Sequence, residues 1–136
     1  MDANFNRVRE GLRVCEEFVR FFSDDASLTE DFKKTRNRIS RIYNNFFRSR
    51  KDMFLSRDVI KDVGKKGFSF EKKRAKAIDV FWANIQRSKE ALRVLEEFAK
   101  LLDEKFSDEF RRLRFKIYEL EKSSFRKLQS LLGSKS

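Results

Sequence analysis

The chain has 136 residues, with 33 Lys and Arg against 22 Asp and Glu, a net charge of +11 and a pI near 10.0. That length supports one domain around a single core. With no histidine in the sequence, His-ligated metals, Ser-His-Asp or Cys-His catalysis and phosphohistidine chemistry are all excluded.

Hydrophobic and charged residues each make up 40% of the chain, proline is absent and glycine occurs four times. This balance suits long amphipathic helices and lacks the turn chemistry of an all-β or Rossmann domain. A single cysteine, Cys15, allows no internal disulfide and reads as a small core residue. The excess positive charge attracts polyanions, whether nucleic acid, anionic lipid or phosphorylated metabolites, and does not choose among them. The N-terminus starts as a charged amphipathic helix and no stretch reaches eighteen apolar residues, so a soluble, cytoplasmic protein with no membrane partner is expected.

A first helix is predicted over about residues 3–22, capped by Asp2, with Val8, Leu12, Cys15, Val19 and Phe22 on its apolar side. A Ser-Asp-Asp-Ala-Ser break ends it. The second helix should open at Thr29, with Glu30 and Asp31 at the positive end of its dipole, and reach about Arg50. Residues 51–70 hold two of the four glycines and a cluster of Arg57, Asp58, Asp62, Val63 and Gly64, and they read as an irregular central loop. The third helix gains an extension over Glu71–Phe81, and the fourth should open at Ser107 and stop near Gly133.

The two halves repeat. ANFNRVREGLRVCEEF at residues 3–18 and ANIQRSKEALRVLEEF at residues 83–98 share ten of sixteen residue types at an offset of eighty, and Arg36 and Ile39 recur as Arg114 and Ile117. The expected fold is therefore all-α. It is a single domain over 1–136 made of a duplicated helical hairpin, with halves at about 1–50 and 71–132.

Both copies keep polar residues where packing favours apolar ones. At 100° per residue, Asn4 and Arg7 fall within the apolar arc of the first helix and Glu10 lies at its edge, able to pair with Arg7. Asn84, Arg87 and Glu90 repeat the pattern. If the halves pack about a pseudo-twofold axis, the triplets converge on one cavity with room for an anionic ligand. The alternative is a buried Asn/Arg/Glu network that holds the halves in register. Arg13, Arg93, Glu16, Glu17, Glu96 and Glu97 are expected to form a solvated, salt-bridged face. Gly64-Lys65-Lys66-Gly67 lacks the spacing of a phosphate-binding P-loop, so a phosphate would rest on arginine forks, lysines and helix N-termini, with Mg²⁺ on Asp58 and Asp62.

The opening DANFNRVREGLRVCEEFVRFF, the central RDVIKDVG with Glu71 and Arg74, and ANIQRSKEALRVLEEFAKL together resemble the hydroxymethylpyrimidine-phosphate kinase family of thiamine biosynthesis, over nearly the whole chain. The resemblance implies conversion of hydroxymethylpyrimidine phosphate to the diphosphate with ATP and Mg²⁺, in preference to the free alcohol. The matching positions are Asn4, Arg7, Glu10, Arg57, Asp58, Asp62, Gly64, Asn84, Arg87 and Glu90. We expect the triplets at the substrate, Arg57, Asp58 and Asp62 in catalysis, the two aspartates on the metal, and Gly64 and Arg36 at the nucleotide. Relatives often follow the residue matching Arg36 with histidine or glutamine, where this chain has Asn37, so a proton-transfer role there is not carried over. Because the family also occurs fused to thiamine-phosphate synthase, association with such a synthase is an expected partnership, and a homodimer is a further one. Two other functions compete. One is a nonenzymatic nucleic-acid-binding module, drawing on the basic and aromatic run Phe46-Phe47-Arg48-Ser49-Arg50-Lys51. The other is an arginine-lined mutase or lyase acting on an anionic metabolite.

Overall fold

The computed structural model describes residues 2–48 and 70–133, and every regular element among them is helical. Helix α1 spans Asp2–Phe18 and continues into a π-helical turn at Val19–Ser23; α2 spans Ala26–Arg48, α3 Phe70–Leu102 and α4 Glu104–Gly133. None of the described helices is long and apolar enough to cross a membrane. The segment 51–70, expected as an irregular loop, lies outside the described residues except for Phe70.

Helix ends follow side-chain chemistry that the sequence reading placed three residues late. Asp25 Oδ1 accepts the Leu28 amide at 2.9 Å, so α2 begins at Ala26 instead of Thr29. Its counterpart is Asp103, whose Oδ1 accepts the Lys105 amide at 3.1 Å, and α4 accordingly opens at Glu104 instead of Ser107. Asp2 is already helical, and its Oδ1 accepts the Tyr43 hydroxyl at 2.6 Å, tying the start of α1 to the end of α2.

The first hairpin is two residues longer than the second; the π turn takes up one of them and the two-residue connection Asp24–Asp25, against the single Asp103, takes up the other. Glu16 and Arg36, which pair across the first hairpin, are twenty residues apart, while Glu96 and Arg114 pair across the second at eighteen. A π turn holds one extra residue without breaking the helix. Asp24 then reverses the chain in the left-handed region at φ 50, a conformation that aspartate tolerates. Ser23 Oγ closes the widened turn by donating to the Val19 carbonyl at 2.6 Å.

The four helices form a ring in which α1 packs on α2 and α3, and α4 packs on α3 and α2. Neighbours run antiparallel, because residues late in one helix meet residues early in the next: Cys15 with Phe81, Tyr43 with Asp2, Lys89 with Glu121, and Asp25 with Lys127. The core is aromatic at both ends. Phe5 stacks against Tyr43, Phe46 and Phe110 at centroid distances of 4.7, 5.9 and 5.4 Å, while Phe81 meets Phe18 at 5.0 Å and Phe32 at 6.2 Å. Phe32 and Phe110 hold the same place in the two hairpins, and each contacts a ring from the other hairpin. Ring pairs of this kind contribute about 0.5–1.5 kcal/mol each beyond area burial, so they help hold the two hairpins together.

Candidate functional site at the α1–α3 seam

The seam between α1 and α3 is where the two copies of the repeat meet face to face. Ser88 is fully buried and its Oγ donates to the Val8 carbonyl at 3.4 Å; Val8 and Ser88 are the same position of the repeat. The pseudo-twofold axis therefore passes close to this pair. Gly11 permits the close approach: a Cβ there would lie 2.8 Å from the Asn84 carbonyl and collide with Ser88 Oγ. The absence of a side chain at residue 11 is a packing requirement of the seam.

The triplets flank this crossing, and their setting differs from the expected one. Arg7, Glu10, Arg87 and Glu90 are exposed and Asn4 and Asn84 half-buried, so the triplets lie on the outer edge of the seam and do not line an enclosed cavity. The helical-wheel reading put Arg7 inside the apolar arc. Its angular position is correct, but the arc between α1 and α3 is closed by Gly11, Cys15 and Ser88, and residue 7 falls just beyond it. The expected Arg7–Glu10 pair is replaced by a bond from Arg7 Nη1 to Asn4 Oδ1 at 3.2 Å. In the other copy Asn84 Nδ2 donates to its own helix at the Val80 carbonyl, 2.8 Å, and Glu90 accepts from Gln86 at 3.2 Å. Among the described residues the triplets form no buried polar network joining the halves.

Buried ion pairs exist elsewhere, one within each half, on glutamates expected to face solvent. Glu16 and Glu96 are buried, at 2% and 5% relative exposure, and each accepts an arginine Nε from the following helix: Arg36 at 2.9 Å and Arg114 at 3.0 Å. Glu16 also accepts Arg20 at 3.0 Å. The repeat carries the signal, since both copies keep the Glu-Glu pair and the matching arginine, but the apolar side chains of α1 end at Phe5 while the buried face extends past them to Glu16 on the α2 side. Arg36, expected at the nucleotide, has its Nε committed to Glu16, so a nucleotide contact would have to use its other nitrogens. Glu17, Glu97, Arg13 and Arg93 are exposed as expected, and Glu97 pairs with Arg93 and Lys100. The Lys100 ammonium holds the Glu97 carboxyl below its usual value.

Cys15 is buried, and its thiol lies 3.7 Å from the Phe81 carbonyl. Burial, followed by the Glu121 charge, pushes its pKa far above the ordinary 9.0, which removes it as a nucleophile at neutral pH. Arg57, Asp58, Asp62 and Gly64 lie outside the described residues. Among the described residues no group of three acidic or cysteine side chains comes together as a metal site.

Among the described residues, a four-helix ring with a repeated arginine beside its symmetry seam defines a duplicated all-α protein. The chain matches the model of the ThiD2 family over residues 1–123, and it belongs to that family. It is also similar to proteins called thiamine-phosphate synthase: 37% identical over 124 residues to that of Thermosynechococcus vestitus (90% of this chain, 34% of that protein), 37% over 136 residues to that of Synechocystis sp. (99% and 36%), and 37% over 133 residues to that of Rhodopirellula baltica (95% and 33%). The chain spans about a third of the length of these relatives. No solved structure matches it significantly.

Proposed function

We propose that the chain phosphorylates 4-amino-5-hydroxymethyl-2-methylpyrimidine phosphate to the diphosphate, using ATP and Mg²⁺, within thiamine biosynthesis. Membership of the ThiD2 family and the thiamine-phosphate synthase relatives support the pathway. The observation that carries the site is a division of labour between two duplicated arginine pairs. Arg36 and Arg114 are consumed by buried glutamates, whereas Arg7 and Arg87 stand exposed beside the seam and no carboxylate pairs with either among the described residues.

A guanidinium free of a carboxylate can receive a phosphate through a forked, charge-assisted pair. In this reading Arg7 and Arg87 grip the phosphate already on the pyrimidine, with Asn4 and Asn84 as neutral donors beside them. Glu10 and Glu90, exposed next to the arginines, bear on the amino-pyrimidine end of the substrate. Mg²⁺ is assigned to Asp58 and Asp62, with Arg57 acting in catalysis beside them and Gly64 at the nucleotide. Phosphoryl transfer asks mainly for positioning and charge neutralisation, which an arginine-flanked seam can supply without a covalent catalyst. The reading includes association with a thiamine-phosphate synthase, because relatives of that name contain a region similar to this chain.

The test is an assay of the full chain with ATP-Mg²⁺ on the phosphorylated and the free pyrimidine, alongside Asp58→Asn and Asp62→Asn. The expected result is diphosphate formation that favours the phosphorylated substrate, because the free alcohol leaves the arginine cations unmatched. Activity that is absent, or that prefers the alcohol, contradicts the function. Full activity in both aspartate variants contradicts only the metal assignment.

A further inference from the structure

On the face of the ring opposite the α1–α3 seam, α2 and α4 enclose a groove of about 320 Å³. Its α2 wall carries Lys34, Arg38 and Arg41, and α4 contributes Lys116. From Phe32 to Lys51 the sequence contains eight lysines and arginines and no acid, although elsewhere the chain pairs exposed cations with acids three or four residues away, as in Arg20–Glu17 and Arg111–Asp108. Lys34, Arg38 and Arg41 form no ion pair among the described residues, and Lys116 reaches Glu119 only at 3.9 Å. Asp31 is the one carboxylate among the described residues of the groove lining.

Arg38 and Lys116 occupy the same position in the two hairpins, as do Thr35 and Leu113, which also line the groove. The groove therefore straddles the pseudo-twofold axis and sets like charges facing each other across a helix seam. Such an arrangement is unfavourable when empty and becomes favourable once an anion lies between the walls.

We propose that this groove binds an anion made of linked phosphates, either inorganic pyrophosphate or polyphosphate or the phosphate chain of a nucleotide. Residues 34 to 41 cover about 10 Å along α2, enough for a short chain of linked phosphates. Two arginines supply forked donors and two lysines supply point charges. Because the whole bundle separates the groove from the α1–α3 seam, it is an ancillary site, independent of the kinase reading.

Isothermal titration of the full chain at near-physiological salt, with pyrophosphate, tripolyphosphate and ATP, tests the assignment. Wild type should bind pyrophosphate saturably at one site, and Arg38→Gln with Lys116→Gln should weaken binding by about tenfold or more. Arg13→Gln with Arg93→Gln, an exposed repeated pair outside the groove, should leave it unchanged. For the component of binding that the groove variant removes, equal affinity for ATP and tripolyphosphate identifies the phosphate chain as the ligand, and tighter ATP binding identifies a nucleotide; either outcome supports the site, and ATP binding that the groove variant leaves intact belongs to the kinase reading. Binding unchanged in the groove variant overturns the proposal. So does an oligonucleotide that binds through the same residues more tightly than tripolyphosphate, which would make the groove part of a nucleic-acid surface. Both groove substitutions fall outside the core, and circular dichroism confirms that each variant is folded.

Discussion

A methyl group at residue 11 would press on the Asn84 carbonyl and on Ser88, so Gly11→Ala pits steric strain against the ordinary advantage of alanine in a helix. Alanine gains about 1 kcal/mol in propensity, while overpacking a seam costs about 1–3 kcal/mol. Because one of the blocking atoms is backbone and cannot rotate away, strain prevails. Gly11→Ala should lower Tm in thermal melts, and adding Ser88→Ala should recover only part of the loss. Cys15 allows a second residue-scale check. Its folded pKa is raised, so its contribution to stability is fully present below the unfolded value of 9.0 and is lost as pH rises above it. Denaturant unfolding of wild type should weaken more steeply above about pH 9 than unfolding of Cys15→Ala. Identical pH profiles would mean that the thiol ionises freely in the folded chain. At this scale the sequence identified the buried cysteine and misjudged the arginines, because a wheel locates an angle without saying how wide the neighbouring helix makes the buried arc.

Between elements, the Glu16–Arg36 pair ties α1 to α2 and the Glu96–Arg114 pair ties α3 to α4. Removing one partner of a buried pair strands the other charge, and the arginines are only partly exposed, at 22% and 12% for their side chains. Glu16→Ala and Glu96→Ala should each destabilise by about 2–4 kcal/mol in equilibrium unfolding. A loss below that of an ordinary exposed ion pair in either variant would show that the hairpins are held by their apolar faces alone. Helix existence and order were legible from period and repeat, and helix starts were not. The first-turn acids Glu30, Asp31, Asp108 and Glu109 resemble a helix opening, yet Asp25 and Asp103 cap earlier. The π turn was invisible for a similar reason, since it preserves the apolar pattern on both sides of the extra residue.

For the whole molecule, the duplication is what made both fold and site partly readable. A repeated apolar pattern required a paired-hairpin architecture, and a repeated polar triplet pointed to the α1–α3 seam. What the repeat could not show was where the copies diverge: α2 carries an acid-free basic run, whereas α4 places Glu119 and Glu121 among its cations. That asymmetry makes the α2 wall of the groove basic, and the groove itself appears only when the helices are set side by side. The symmetric feature carries the proposed chemistry, with an arginine from each copy meeting one phosphate. The measurement that bears most directly on that claim is the rate of ATP-dependent phosphorylation of hydroxymethylpyrimidine phosphate by wild type, Arg7→Ala, Arg87→Ala and the double variant. Each single change should lower kcat/KM by about 10²–10³, the scale of one lost charge-stabilising donor, while the double variant falls short of the product of the two because both arginines serve one ligand. Wild-type rates in both single variants, measured on chains with native circular dichroism, would contradict the account.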